Sequence, residues 1–185
     1  MILSQSHPLA LLLDAIFIGA VVVLIVINLK YLILPNAITY PGCAVAIVAR
    51  AFIPNLASFG FLTRNPFSKL PTFLVSIDGA IIGLIVGGGT LLLVRWTWDK
   101  LRGTEVLGLG DVKMMCMVGA YLGIAKTVIV FSLAFALMMP LSMVVVLVLL
   151  KQKNPVIPSG FIWGIPAIIA TLAGERILHW LSVQL

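Results

Sequence analysis

Apolar residues fall in six sustained runs, at about 9–29, 37–53, 77–98, 111–124, 127–150 and 160–182, and the stretches between them gather most of the charged and turn-forming residues. A helix needs about 20 apolar residues to cross a bilayer, so this pattern predicts six membrane-spanning helices. In lipid each span must satisfy its own backbone hydrogen bonds, which makes an all-α, polytopic helical bundle the expected fold class. The first run does not read as a signal peptide. It lacks a basic leading region, its apolar stretch is too long, and no small-residue cleavage site follows. Two runs are short. Residues 37–53 are at the lower limit, and 111–124 has the length of a helix that starts below the membrane surface inside protein. Gly119 and Gly123 form a small-xxx-small pair in the fourth run, and Gly79, Gly83 and Gly87 repeat every four residues in the third. Close helix packing is the simplest use of both sets.

Composition agrees with the pattern. Hydrophobic residues make up 62% of the 185, with a mean hydropathy of +1.20, against about 45–50% apolar in soluble domains. A single membrane-embedded domain spanning 1–185 is the expectation, with the lipid bilayer as its surroundings. The net charge of +6 does not point to nucleic acid, because the twelve Lys and Arg are scattered singly between apolar runs. They read instead as topology signals. With the N-terminus outside, the cytoplasmic side receives Lys30, Arg95, Lys100, Arg102, Lys113, Lys151 and Lys153, against Arg50, Arg64, Lys69, Lys126 and Arg176 outside. That balance favours both termini outside, and makes 54–71 an external loop rich in turn residues. Cys43 and Cys116 lie in apolar segments without metal-ligand spacing, so they read as small buried hydrophobes, with neither a disulfide nor a metal site expected. His7 and His179, near opposite ends of the chain, receive no role.

Against this background the six acids stand out: Asp14, Asp78, Asp99, Glu105, Asp111 and Glu175. An ionisable group inside a span costs a few kcal/mol or more, so an intramembrane acid is a functional candidate. Asp111 is the strongest. It sits in GTEVLGLGDVKMMCMVGAYLG, residues 103–123, where Gly108 and Gly110 permit a tight turn or a close approach and the start of the next helix favours an anion. By itself G-x-G-D also fits an ordinary N-cap aspartate, and Lys113 fits an interfacial anchor. The second informative stretch, VINLKYLILPNAITYPG at 26–42, ends one apolar run at Asn28 and turns at Leu34-Pro35-Asn36 before the next. Two complete spans separate Asn28 from Asp111. Two crossings return the chain to its starting side, so the two positions share a membrane face whichever way the protein is oriented.

These stretches carry a resemblance. EVLGLGDVKMMCMVGAYLG, preceded by DGAIIGLIVGGGTLLLVRWTWDKLRG, resembles the GxGD region of type IV prepilin peptidases, and NLKYLILPNAITYPG resembles their other characteristic segment. IPSGFIWGIPAIIA, residues 157–170, is similar to the family's C-terminal IPFGP segment, so the likeness runs through the chain from about residue 20. The resemblance implies a membrane aspartyl protease of the bacterial cytoplasmic membrane. Two aspartates near the cytoplasmic face cut the leader from type IV prepilins or related pseudopilins, after a glycine and before the hydrophobic pilin helix, without a metal or organic cofactor. The GxGD aspartate corresponds to Asp111. The first corresponds to residue 28, which here is asparagine.

That difference bears on activity. A carboxylate pair sharing a proton activates water with one member while the other hydrogen-bonds the scissile carbonyl. Asparagine keeps the shape and the hydrogen bonding but transfers no proton, so the fold should persist while hydrolysis is lost. Asn28 has the character of a deliberate inactivation, or else of a naturally inactive homologue. The bifunctional members carry a preceding region with paired cysteines associated with N-methylation, a segment not expected in this chain. Glu105, often acidic in the family, could attract the basic leader together with Asp99, although a solvated loop charge serves equally. Gly108, Gly110 and Lys113 complete the expected substrate-binding set. Two rivals stay open: a non-catalytic prepilin-binding or pilus-assembly homologue, which Asn28 favours, and a small cation-coupled transporter with Asp111 as its cation ligand.

Overall fold

The computed structural model describes residues 8–52, 72–102, 108–149 and 159–184. They form five helices: α1 (Pro8–Tyr31), α2 (Asn36–Phe52), α3 (Thr72–Arg102), α4 (Leu109–Leu149) and α5 (Ser159–Gln184). Parts of α1, α3, α4 and α5 are long and apolar enough to cross a membrane, while α2 is a shorter apolar helix. The protein is thus an all-α membrane protein. The expected loop at 54–71 lies outside the described residues.

The runs at 111–124 and 127–150, expected as separate helices, are the two helical limbs of α4 as far as Leu149, parted where the backbone leaves the helical region at Gly123 with φ 74° and ψ 177°. A side chain would resist that φ, and glycine does not. The break turns the chain back on itself, as α5 makes plain. Before the break, a Cβ placed on Gly164 would lie 3.3 Å from Met114 Cε. Just after it, Lys126 Nζ reaches Glu175 Oε1 at 3.0 Å, further along α5. Residues beyond then pass back down the same helix: Phe131 packs edge-on against Trp163 with ring centroids 5.8 Å apart, and Leu137, Pro140 and Leu141 share a cavity with Phe161 and Ile162. The first limb of α4 therefore runs along α5 in one direction and the second limb in the other.

The core centres on that first limb. Met114, Met115, Met117, Val118 and Ala120 are buried, with Val21 and Leu24 of α1 and Ala167 and Ala170 of α5 in the same cluster. Gly83 of α3 and Gly119 of α4 meet backbone to backbone: a Cβ on either would collide with the carbonyl oxygen of the other. These two glycines let the helices approach closely, as small residues do where lipid supplies no hydrophobic drive for association.

The end of the bundle near Gly123 is tied by polar contacts. Lys126, expected in an outer loop, is buried within α4 and paired with Glu175 of α5. Asp14 of α1 accepts a hydrogen bond from the Tyr121 hydroxyl at 2.6 Å, and Tyr121 stacks on Phe17 with centroids 4.0 Å apart. Asp14 and Glu175 thus both have partners within the bundle. A buried charge in lipid is tolerated when so paired.

The topology gives a direct expectation. Single cysteines at Lys30 and Leu101, in a chain with Cys43 and Cys116 replaced, should react with an impermeant thiol reagent from one side of the membrane, and cysteines at Asp78 and Arg176 from the other. All four native side chains are exposed. Opposite-side labelling of positions 30 and 101 would separate the end of α1 from the approach to α4, and the shared face would be lost.

Candidate active site

The site forms where the C-terminal end of α1, the start of α2 and the start of α4 converge. Asn28, Leu32, Ile33, Leu34, Asn36, Gly108, Gly110, Asp111 and Lys113 line one cavity of about 290 Å³. Asn28 and Asp111, placed on a common face by counting crossings, are therefore brought to a common cavity. Both are buried, each with 3% of its surface exposed.

Asn28 is fixed at both its backbone and its side chain. Leu32 N–H donates to the Asn28 carbonyl at 2.8 Å, and Leu32 has φ 56°. This is the left-handed cap that closes a helix, made by leucine rather than the usual glycine at a cost of about 1–2 kcal/mol. Strain of this kind persists where surrounding structure imposes it, and here the strained residue lines the cavity. The Asn28 side chain is held from another direction: Gly160 N–H of α5 donates to its Oδ1 at 2.8 Å in a buried contact.

Asp111 stands in the first turn of α4, and its own N–H donates to the Gly108 carbonyl at 3.1 Å. Gly108 is thus the residue that caps the helix, so Asp111 is not itself the N-cap residue. Its carboxylate lies back over the turn, with Oδ2 3.6 Å from where a Cβ on Gly108 would stand. The unpaired amides of a helix start favour an anion at this position. Gly110 answers a packing need, because a Cβ there would come within 3.0 Å of Leu34 Cβ.

Lys113 does more than anchor an interface. Its Nζ donates to Asn36 Oδ1 at 2.9 Å and lies 5.1 Å from the centre of the Tyr40 ring. The contact joins the start of α4 to the start of α2, bringing the LPN turn and the GDVK segment together at one wall of the cavity. Asp99, considered with Glu105 as an attractor for a basic peptide, forms an ion pair with Arg95 one turn away at 3.4 Å. Glu105 itself lies outside the described residues.

The residues that sequence reasoning passed over are Leu32, Leu34, Asn36 and Gly160. Asn36 was visible only as part of a turn signal, and Gly160 only as part of a segment resembling the family's C-terminal one. Chemically, the assembled site offers one carboxylate at a helix start, two carboxamides whose oxygens are held by Gly160 and Lys113, an ammonium group, and a mouth shaped by apolar residues. That set can bind an extended peptide, polarise its carbonyl and hold a water beside a base.

Comparison with known proteins places this geometry in context. The type IV leader peptidase family matches residues 15–143, a range that holds both Asn28 and Asp111. The prepilin leader peptidase/N-methyltransferase of Aeromonas hydrophila is 29% identical over 131 residues, 71% of this chain and 45% of the relative. The protein of the same name from Pectobacterium carotovorum subsp. carotovorum is 32% identical over 108 residues, covering 58% of this chain and 32% of its own length. That from Pseudomonas aeruginosa is 30% identical over 105 residues, covering 55% and 35%. The chain therefore spans less than half the length of these relatives. No solved structure matches it.

Proposed function

Because the chain belongs to the type IV leader peptidase family, we propose that it is built as an inner-membrane aspartyl endopeptidase for the leaders of type IV prepilins or pseudopilins, and that Asn28 holds the present form at substrate binding. The observation carrying this reading is the single cavity shared by Asn28 and Asp111 at the meeting point of α1 and α4. The four long apolar helices support a bilayer location, and the site's cytoplasmic-facing orientation is part of the proposal.

In the active arrangement, Asp111 takes a proton from water while an acid at position 28 hydrogen-bonds the scissile carbonyl. The proton then passes to the leaving amine, and two carboxyl groups with separated proton affinities make that transfer possible. With Asn28 the carbonyl still meets a hydrogen-bond donor, but the donor cannot release its proton. Lys113, Gly108 and Gly110 shape the peptide's path, and Glu105 draws the basic leader toward it. The apolar helix that follows the cleavage point remains in lipid.

The test uses the chain as it is. Purified in detergent micelles and mixed with a prepilin, it should retain the full-length precursor on a column and show no shortened product on a gel over hours. A precursor lacking its leader should be retained less well. Cleavage at an ordinary enzymatic rate would remove residue 28 from the chemistry, and failure to retain the intact precursor would remove the binding role.

A further inference from the structure

The buried contact between α1 and α5 has a direction that matters for chemistry. Gly160 is the second residue of α5, so its N–H is among the first-turn amides that have no acceptor within their own helix. Asn28 Oδ1 supplies that acceptor at 2.8 Å. No other residue type fits at 160 in this arrangement, since a Cβ would stand 2.8 Å from both Cβ and Cγ of Asn28 and 2.9 Å from Oδ1. An N–H demands an acceptor opposite it. The carboxamide therefore turns its oxygen to α5, and its NH₂ is the group left for the cavity that Asn28 also lines.

The same constraint would act on an aspartate. One carboxylate oxygen would be committed to Gly160, and any proton carried by the acid would sit on the other oxygen, the one available to Asp111 and to a bound carbonyl. We propose that the amide of Gly160, at the start of α5, is a positioning group for residue 28: it selects which terminal atom of that side chain meets the substrate. The proposal rests on the peptidase reading for its catalytic consequence, but the positioning itself exists in the present asparagine form.

Two measurements test it. Ser159-Gly160 is the sole Ser-Gly pair in the chain, so labelling serine carbonyl carbon with ¹³C and glycine nitrogen with ¹⁵N gives a single linked amide signal for Gly160. In the unaltered chain that amide should be protected from hydrogen exchange despite its place in a first turn. Asn28→Ala should speed its exchange at least about tenfold, and Asn28→Asp should restore protection. An unchanged exchange rate and amide shift in Asn28→Ala would overturn the proposal, whatever the chain's activity.

The second measurement follows catalysis in the Asn28→Asp background. Gly160→Ala should lower kcat by about 100-fold with little change in KM, since misplacing a reacting group by about 1 Å costs that much. Gly164→Ala is the control: it lies one turn along the same helix and would crowd Ile25 and Met114 rather than residue 28. Its effect on kcat should be several times smaller. Equal losses in the two variants would make Gly160 a packing residue and overturn the catalytic part. If Asn28→Asp with Gly160 intact never cuts prepilin, the peptidase reading fails, and the exchange measurement decides the positioning on its own.

Discussion

Asn28→Asp should give a chain that cuts prepilin, where the asparagine form is expected only to hold it. The gain expected from restoring one member of an acid–base pair is on the order of 10²- to 10⁴-fold, so the shortened product should be obvious on a gel. The substitution asks little of the structure, because the two side chains are nearly isosteric and the oxygen that accepts from Gly160 is present in both. Its cost in stability is confined to burying a charge at a site already 97% enclosed, since Asn28 is 3% exposed, and the α5 amide offsets part of that cost by donating to an ionised acceptor. Retention of the precursor should therefore survive the change. An aspartate form that retains prepilin and leaves it intact would identify the chain as a binding member of its family, the outcome that the rival non-catalytic reading requires.

The ease with which these positions were paired follows from what a membrane imposes on sequence. Spans are long apolar runs, and loops interrupt them, so the positions of Asn28 and Asp111 relative to one another could be counted before any contact was known. The break at Gly123 was legible for the same reason, as two apolar runs separated near Lys126. Lys126 itself was misread. A lone cation between apolar runs ordinarily marks a loop, but Lys126 lies buried against Gly174 and paired with Glu175, and only the folding-back of α4 along α5 creates that pairing. Asp14 and Tyr121 are 107 positions apart, and Asn28 and Gly160 are 132 apart. Neither apolar periodicity nor turn chemistry encodes such a partner. The role of Lys113 was hidden in the same way, because its contacts, Asn36 and Tyr40, belong to a helix two elements earlier.

These long-range contacts separate two tasks within one bundle. Near Gly123, the Asp14–Tyr121 and Lys126–Glu175 contacts tie α4 to α1 and α5. At the other end of the first limb, Gly160 and Lys113 tie the same three helices and α2 around the cavity. The short limb between, packed on α3 through Gly83 and Gly119, carries Asp111 on a support held at both ends. Sites built on rigid helices hold reacting groups more closely than sites on loops, and a carboxylate that must work against a second side chain from another helix needs such support.

Asp111→Asn in the Asn28→Asp background should abolish prepilin cleavage. Asp111 is the only acid among the described residues that line the cavity, so after the change position 28 would hold the sole carboxyl group among them and none of them could share its proton. Loss of one member of a cooperating pair removes nearly everything that the pair contributes, so the rate should fall to the level of the unaltered Asn28 chain rather than part of the way. The fold should hold, since asparagine also serves at a helix start and the Gly108 turn is made by the backbone of residue 111. Membrane expression, detergent-extracted yield and retention of the intact precursor are the controls, and all three should match the Asn28→Asp parent. Undiminished cleavage would take Asp111 out of the mechanism and move the chemistry away from the cavity between α1 and α4. Loss of cleavage together with loss of yield would instead make Asp111 a folding residue, and Asp111→Ala, which leaves position 111 without a hydrogen-bonding side chain, would then be expected to fold worse than Asp111→Asn.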